Sequence, residues 1–241
     1  PVTLTVYRAY TDNERYIKNQ WRIRDNPDNW ARGCLDAVFN KVYDVRVEHN
    51  RIITTASLAG IGRSPFLRYT QEMAFYTDGT VKVTLDADKK EQLTEFLPRL
   101  GYEFRSPIEN DGFTYYGMGP EECYCDMRCH ALTATYRSTP DEQYVPYVRP
   151  QEHGNHYAVR QLAMDNGITF LTDSAFECNV SAYDTLSLDR AEHADELIKN
   201  GLTNIRIDYR VSGIGSASCG PALRPQHQVN DTHYHFAFYI R

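Results

Sequence analysis

No apolar run in the 241-residue chain approaches the roughly 20 residues that a membrane-spanning helix needs, so no membrane partner is expected. A basic excess is missing too: 26 Lys and Arg face 32 Asp and Glu, for a formal net charge of -6. That balance leaves no electrostatic footprint for nucleic acid or anionic lipid, and nucleic acid is excluded as a natural partner. Cysteine is sparse. Cys34, Cys123, Cys125, Cys129, Cys178 and Cys219 lack the density and spacing of a disulfide scaffold, which a chain able to bury its own core does not need. Reduced thiols in a cytoplasmic protein are the expectation. A leader is lacking as well, because Pro1 stands directly before the strand-like run Val2 to Tyr7. That start reads as an excised piece. No internal repeat, low-complexity tract or linker divides the chain, so residues 1–241 are taken as a single domain.

What is present is mostly the alternation of strands. Val42, Val45 and Val47, then Ile52 and Ile53, then Met73, Phe75, Val81, Val83 and Leu85 fall in short β-branched or aromatic runs. Asp78-Gly79 between two of these runs predicts a tight hairpin, since such turns need positive φ angles. Further strands are expected at Gly101 to Arg105, Gly112 to Met118, Leu132 to Tyr136, Val159 to Met164, Ile168 to Thr172, Ala175 to Val180, Ile205 to Val211 and Tyr234 to Ile240. One segment differs. Leu188, Ala191, Ala194, Leu197 and Ile198 recur at helical spacing, predicting a helix over Ser187 to Asn200 that Ser187 caps and Gly201 stops. Asp88 to Leu97 reads as loop, closed by Pro98. Many strands and one short helix predict an all-β fold of two antiparallel sheets stacked face to face.

Candidate chemistry is thin. Retaining glycoside hydrolysis needs two carboxyl groups roughly 5 Å apart, and Glu121-Glu122 is the obvious acidic pair. Neighbours on a strand point to opposite faces, so the pair is read as one exposed and one hydrogen-bonded carboxylate. Cys123, Cys125, Cys129 and His130 offer zinc-type donors, but a single-residue gap departs from the usual knuckle and favours buried, inert cysteines. His233 and His235 share a strand face yet need a third ligand from elsewhere. His193, beside Glu192 and Glu196, reads as a solvated or locally paired imidazole. The run Gly213 to Pro221 lacks the lysine and helix of a phosphate cradle. It reads as a loop where backbone meets a ligand or another domain.

Six motifs then appear in a fixed order. They are Arg8-Ala9-Tyr10-Thr11-Asp12-Asn13; Leu97-Pro98-Arg99-Leu100-Gly101; Tyr116 to Pro120 with Glu122, Tyr124 and Asp126; Tyr144 to Asn155, reading YVPYVRPQEHGN, with Arg160; Ala191 to Leu197; and Gly213 to Pro221. Together they resemble the C-terminal β-domain, of small-chain type, of family 2 β-galactosidases. Arg8, Asp12, Asn13, Glu122, Arg149 and Glu152 are the positions that match the motifs most directly. Tyr10, Cys123 and Met127 depart from the family's Pro, Asn and Arg.

The resemblance implies a β-supersandwich of the galactose mutarotase-like kind, following a catalytic barrel or pairing with a large subunit that holds the catalytic glutamates. It implies no catalytic residue and no cofactor in this chain, with any Mg or Na ions belonging to the parent enzyme. The implied role is to shape the rim of a site for galactosides such as lactose. Gly215, Ser218 and Cys219 would stand at that rim, with Cys219 where many members carry a tryptophan. Trp21, in the segment Glu14 to Asn29 that resembles a mobile loop at the same mouth, is a further rim candidate beside Trp30. The resemblance also implies that the domain's first strands lie upstream of Pro1, leaving an edge or apolar face that invites a homo-oligomer. Two other classes stay open: an aldose 1-epimerase-like enzyme using His130 or His156, and a carbohydrate-binding module.

Overall fold

The computed structural model describes residues 2–14, 34–90, 96–107, 111–215 and 222–241. Chain order begins with β1 (Val2–Thr5), then a meander of β2 (Val38–Glu48), β3 (Arg51–Gly60), β4 (Leu67–Phe75) and β5 (Val81–Lys89). It continues through β6 (Arg99–Pro107), β7 (Phe113–Gly119), β8 (Leu132–Ser138), β9 (Asn155–Met164) and β10 (Thr169–Ser181). A short helix α1 (Thr185–Arg190), β11 (Leu202–Val211) and β12 (His233–Ile240) complete it.

Each meander turn has a local cause. Between β4 and β5, Gly79 takes φ 86°, and the Asp78 carboxylate accepts the Thr80 amide at 3.0 Å. The predicted Asp-Gly hairpin is therefore present. All described strand pairings are antiparallel, in the order β1-β6-β11-β10-β12-β5-β4-β3-β2, with β9, β7 and β8 branching from β10. The fold class is as expected, all-β, with α1 the one α-helix among the described residues. Hydrogen bonding, however, joins the strands into one sheet that curls on itself rather than two separate sheets. The connection is β10, which absorbs both strands expected at 168–172 and 175–180. Extra residues between Leu171 and Phe176 are taken up as a register shift against β9, the ordinary way a strand bends without ending. Inside the curl, Tyr102, Phe104, Phe170, Phe236 and Phe238 pack with ring centroids 4.9–6.4 Å apart.

The helix is shorter than its apolar spacing predicts and starts earlier. Asp184, not Ser187, caps it, accepting from the Ser187 amide at 3.0 Å and the Ser187 hydroxyl at 2.6 Å. After Arg190 the chain turns extended, because the Glu196 carboxylate takes the Glu192 amide at 2.8 Å and the backbone needs no helical bond there. Leu188 and Ala191 are buried, but Ile198 is 78% exposed, so the far end of the stripe has no core to face. Within the stretch read as loop, Asp88 and Lys89 finish β5 instead, and residues 91–95 lie outside the described residues.

One edge of the sheet is unusual. β2 is exposed along nearly its whole length, and Val42, Val45 and Val47 form a row with exposures of 50%, 55% and 74%. The row is paired to Ala56, Thr54 and Ile52, and Ile52 to Met73, which packs on the core. An apolar face that continues the core outward and meets water is a face built to be covered.

Candidate functional site

The segment Tyr144 to Asn155 has little regular structure and is held by contacts from four other places. Glu122 Oε2 accepts the Gly154 amide at 2.7 Å, and its other oxygen accepts the Tyr147 hydroxyl. Gln151 Oε1 accepts the Asp12 amide at 3.0 Å. Glu152 lies 3.5 Å from the Arg99 guanidinium. Arg149 reaches Glu192 at 3.4 Å. The conspicuous motif is thus a hub, and four of the other five motifs are its spokes.

Two buried ion clusters sit beside the hub. Arg8, fully buried, makes a two-pronged contact with Glu14 at 2.7 and 2.8 Å, and its Nη2 also donates to the carbonyls of Ser212 and Gly213 at 3.4 and 3.3 Å. Burial alone would lower the Arg8 pKa, but the Glu14 charge outweighs it and the net shift is upward. Arg99 donates to Asp208 Oδ2 at 3.0 Å, both residues being fully buried. Burial pushes the Asp208 carboxyl up to about 6 while Arg99 pulls the other way. Gly101 explains the tight fit of β6 against β11 in this region, since a Cβ there would collide with the Asp208 backbone.

The Arg8 cluster reaches the start of the glycine loop. Asp126 accepts the amides of Ile214 at 3.1 Å and Gly215 at 2.8 Å, and Asn13 donates to the Ile214 carbonyl at 3.3 Å. Gly213 is packed so closely on Asp126 that a Cβ would strike the carboxylate. Ser212 is tied in addition to the Leu97 carbonyl and the Val229 amide at 2.6 and 2.9 Å. Four separate segments therefore fix the root of the loop, Ser212 to Gly215.

The carboxylates of this frame are engaged by cations and amides rather than presented as an acid/base pair. Glu177, missed by sequence reasoning, is buried and accepts from the Val211 amide at 3.1 Å and Asn155 Nδ2 at 2.7 Å. Burial raises its pKa to about 8 despite those donors. It would have been hard to find, because on a strand it reads as one more outward polar residue.

Glu121 is exposed and Glu122 hydrogen-bonded, as read from the sequence. Cys123 and Cys125 are buried and their thiols donate to carbonyls of Met118, Val211 and His227. Burial raises them to about 11 and about 12, which keeps them protonated and inert. They lie in a turn closed by a Tyr124–Met127 bridge, not on one strand face, and Cys129 is exposed rather than buried. No group of three or more His, Cys, Asp or Glu that could hold a metal occurs among the described residues. His233 and His235 pair instead with Asp88 and Asp86 across the strand, at 2.9 and 2.6 Å. His193 is exposed and paired with Glu196 at 3.1 Å. His130 binds the Glu122 carbonyl at 2.9 Å. His156 bonds Gln143 at 2.6 Å, and burial lowers its pKa to about 4. Neither of these last two meets a carboxylate side chain in a cleft, as an epimerase would require. Gly215 is in place at the pinned loop, while Trp21, Trp30, Ser218 and Cys219 lie outside the described residues. No helix among the described residues is long and apolar enough to cross a membrane.

Comparison with known proteins follows the same residues. The family described as "Beta galactosidase small chain" matches residues 1–240. A beta-galactosidase of Actinobacillus pleuropneumoniae is 27% identical over 242 residues, 99% of this chain and 23% of that protein. One of Staphylococcus xylosus is 28% identical over 246 residues, 99% of this chain and 24% of that protein. The chain spans about a quarter of the length of these curated relatives. Among solved structures, a GalM/aldose epimerase homologue from C. elegans aligns at 10% identity with a TM-score of 0.44, covering 83% of this chain and 67% of that one.

Proposed function

The chain belongs to the beta-galactosidase small-chain family, and from that membership we propose that it is an accessory domain shaping the rim of an active site whose bond-breaking carboxylates reside in a separate catalytic barrel or large subunit. The observation that carries this reading is the pinning of Gly213 to Gly215 by Asp126, Asn13 and Arg8. A buried charge frame that holds the root of one loop is suited to presenting that loop to a ligand bound elsewhere. The uncovered apolar row of β2 supports the same reading, since it provides a face for further polypeptide to cover. The substrates in this proposal are β-galactosides such as lactose. Self-association of the partner-free chain through its free edges is a corollary.

Gly215, Ser218 and Cys219, with Trp21, are the rim residues of the proposal. A thiol at 219 covers far less of a sugar face than an indole, which buries roughly 150–250 Å². Cys219→Trp in the complete enzyme is therefore expected to tighten inhibition by glucose roughly tenfold, about 1.4 kcal/mol. Steady-state inhibition measurements read this directly. An unchanged inhibition constant would remove residue 219 from the rim.

A further inference from the structure

Strand β10 changes partners midway. It pairs with β12 at Phe170 and Leu171, and with β11 from Glu177 onward. Residues 172–176 pair with neither, so the sheet forks, and a cavity of about 450 Å³ opens in the fork. Such a volume falls within the roughly 300–1,000 Å³ of small-molecule sites. The lining comes from β5, β9, β10, β11 and β12.

Its chemistry is mixed in a specific way. Accessible aromatic surface comes from Tyr209 and Tyr239, with Phe176 and Phe236 buried beneath them. Tyr209 stands edge-on to Phe236 with centroids 6.1 Å apart, so its position is set by the core beneath. The rim alternates acceptors and donors. Asp173 takes the Tyr239 hydroxyl at 2.9 Å and keeps its second oxygen, Lys82 lies 5.7 Å over the Tyr239 ring, and Arg210 spends one nitrogen on the Gln226 carbonyl at 3.2 Å. Thr172 is fixed to the Ala237 carbonyl at 3.2 Å. Ala158, which also lines the cavity, holds a left-handed φ of 53°. A non-glycine residue in that region is strained and tends to persist at binding sites.

We infer that this fork is a second saccharide site, lined by residues other than those proposed for the rim, that takes a neutral pyranoside. Aromatic walls suit the apolar C–H face of a sugar ring, and the rim's donors and acceptors suit its hydroxyls. Cations do not dominate the rim, since Lys82 and Arg210 share it with Asp173. A phosphate or sulfate would lack the clustered positive charge that such anions need. A purely apolar ligand would leave the rim's polar groups dehydrated and unpaired. The inference does not depend on the accessory-domain reading, because every residue cited for the cavity belongs to this chain.

The test is saturation-transfer NMR and titration calorimetry on the partner-free chain with methyl β-galactoside, methyl β-glucoside and lactose, with inorganic phosphate alongside. Saturable binding of at least one sugar at about 1–10 mM is expected, the range of a small site with few anchors. Ala175→Trp, at an exposed position on the mouth, is expected to weaken binding at least tenfold by filling the space. Tyr239→Ala removes one wall and is expected to do the same, and circular dichroism checks that both variants fold. Absence of saturable sugar binding, binding of phosphate alone, or sugar binding that both folded variants leave unchanged would each overturn the assignment.

Discussion

Replacing Arg99 by alanine is expected to destabilise the domain by about 3–5 kcal/mol, the cost of leaving buried carboxylates without their cation. Arg99 and Asp208 are both fully buried, and Glu152 at 3.5 Å shares the same guanidinium. Against a total stability of roughly 5–15 kcal/mol, that loss takes a large share of the folded population's margin. The effect carries a pH signature. In the variant, Asp208 can escape an unpaired charge by binding a proton, and its pKa is already raised to about 6 with the arginine present. A carboxyl whose folded pKa is raised contributes stability below its unfolded value and loses it as pH rises through the folded one. The deficit of Arg99→Ala should therefore be larger at pH 8 than at pH 5, as read by urea melts at each pH. A deficit under 1 kcal/mol at both would mean that the cluster does not hold the hub to β6 and β11.

Removing the loop's anchor should separate function from folding. Asp126→Ala deletes the acceptor for two amides, and each charge-assisted bond of this kind is worth about 1.5–3 kcal/mol. Part of that loss is local, because Gly215 is exposed while Ile214 beside it is buried. In the complete enzyme the expected result is a KM for lactose raised roughly tenfold, with a smaller change for a substrate whose leaving group is not a sugar. Asp126→Asn keeps one acceptor and should fall between. If lactose kinetics are unchanged in a folded Asp126→Ala enzyme, the pinned loop is not at the rim.

The strands were legible because short β-branched and aromatic runs between turn residues have few other ways to fold. The helix was misjudged at both ends for a physical reason. Apolar spacing says which residues would share a face, not whether a core exists to receive Ile198, nor that Asp184 would win the cap. The polar frame was the least legible part. Glu177 and Asn179 on β10, and Arg206 and Asp208 on β11, alternate as solvent-facing residues do, yet all four are buried. Curling of the sheet and the hub of residues 144–155 cover that face, and strand alternation carries no sign of the covering. The motifs mark where the frame lies, and only the contacts show how Arg8, Asp126 and Glu152 take part in it.

Hydrolysis of a chromogenic β-galactoside by the purified chain, alone and with the purified catalytic polypeptide, tests the placement of the catalytic groups most directly. The expected result is no turnover by the chain alone and turnover when the two are combined, reduced when the added chain carries Asp126→Ala. Cleavage by the chain without any partner would place the acid and nucleophile within these 241 residues and contradict the account.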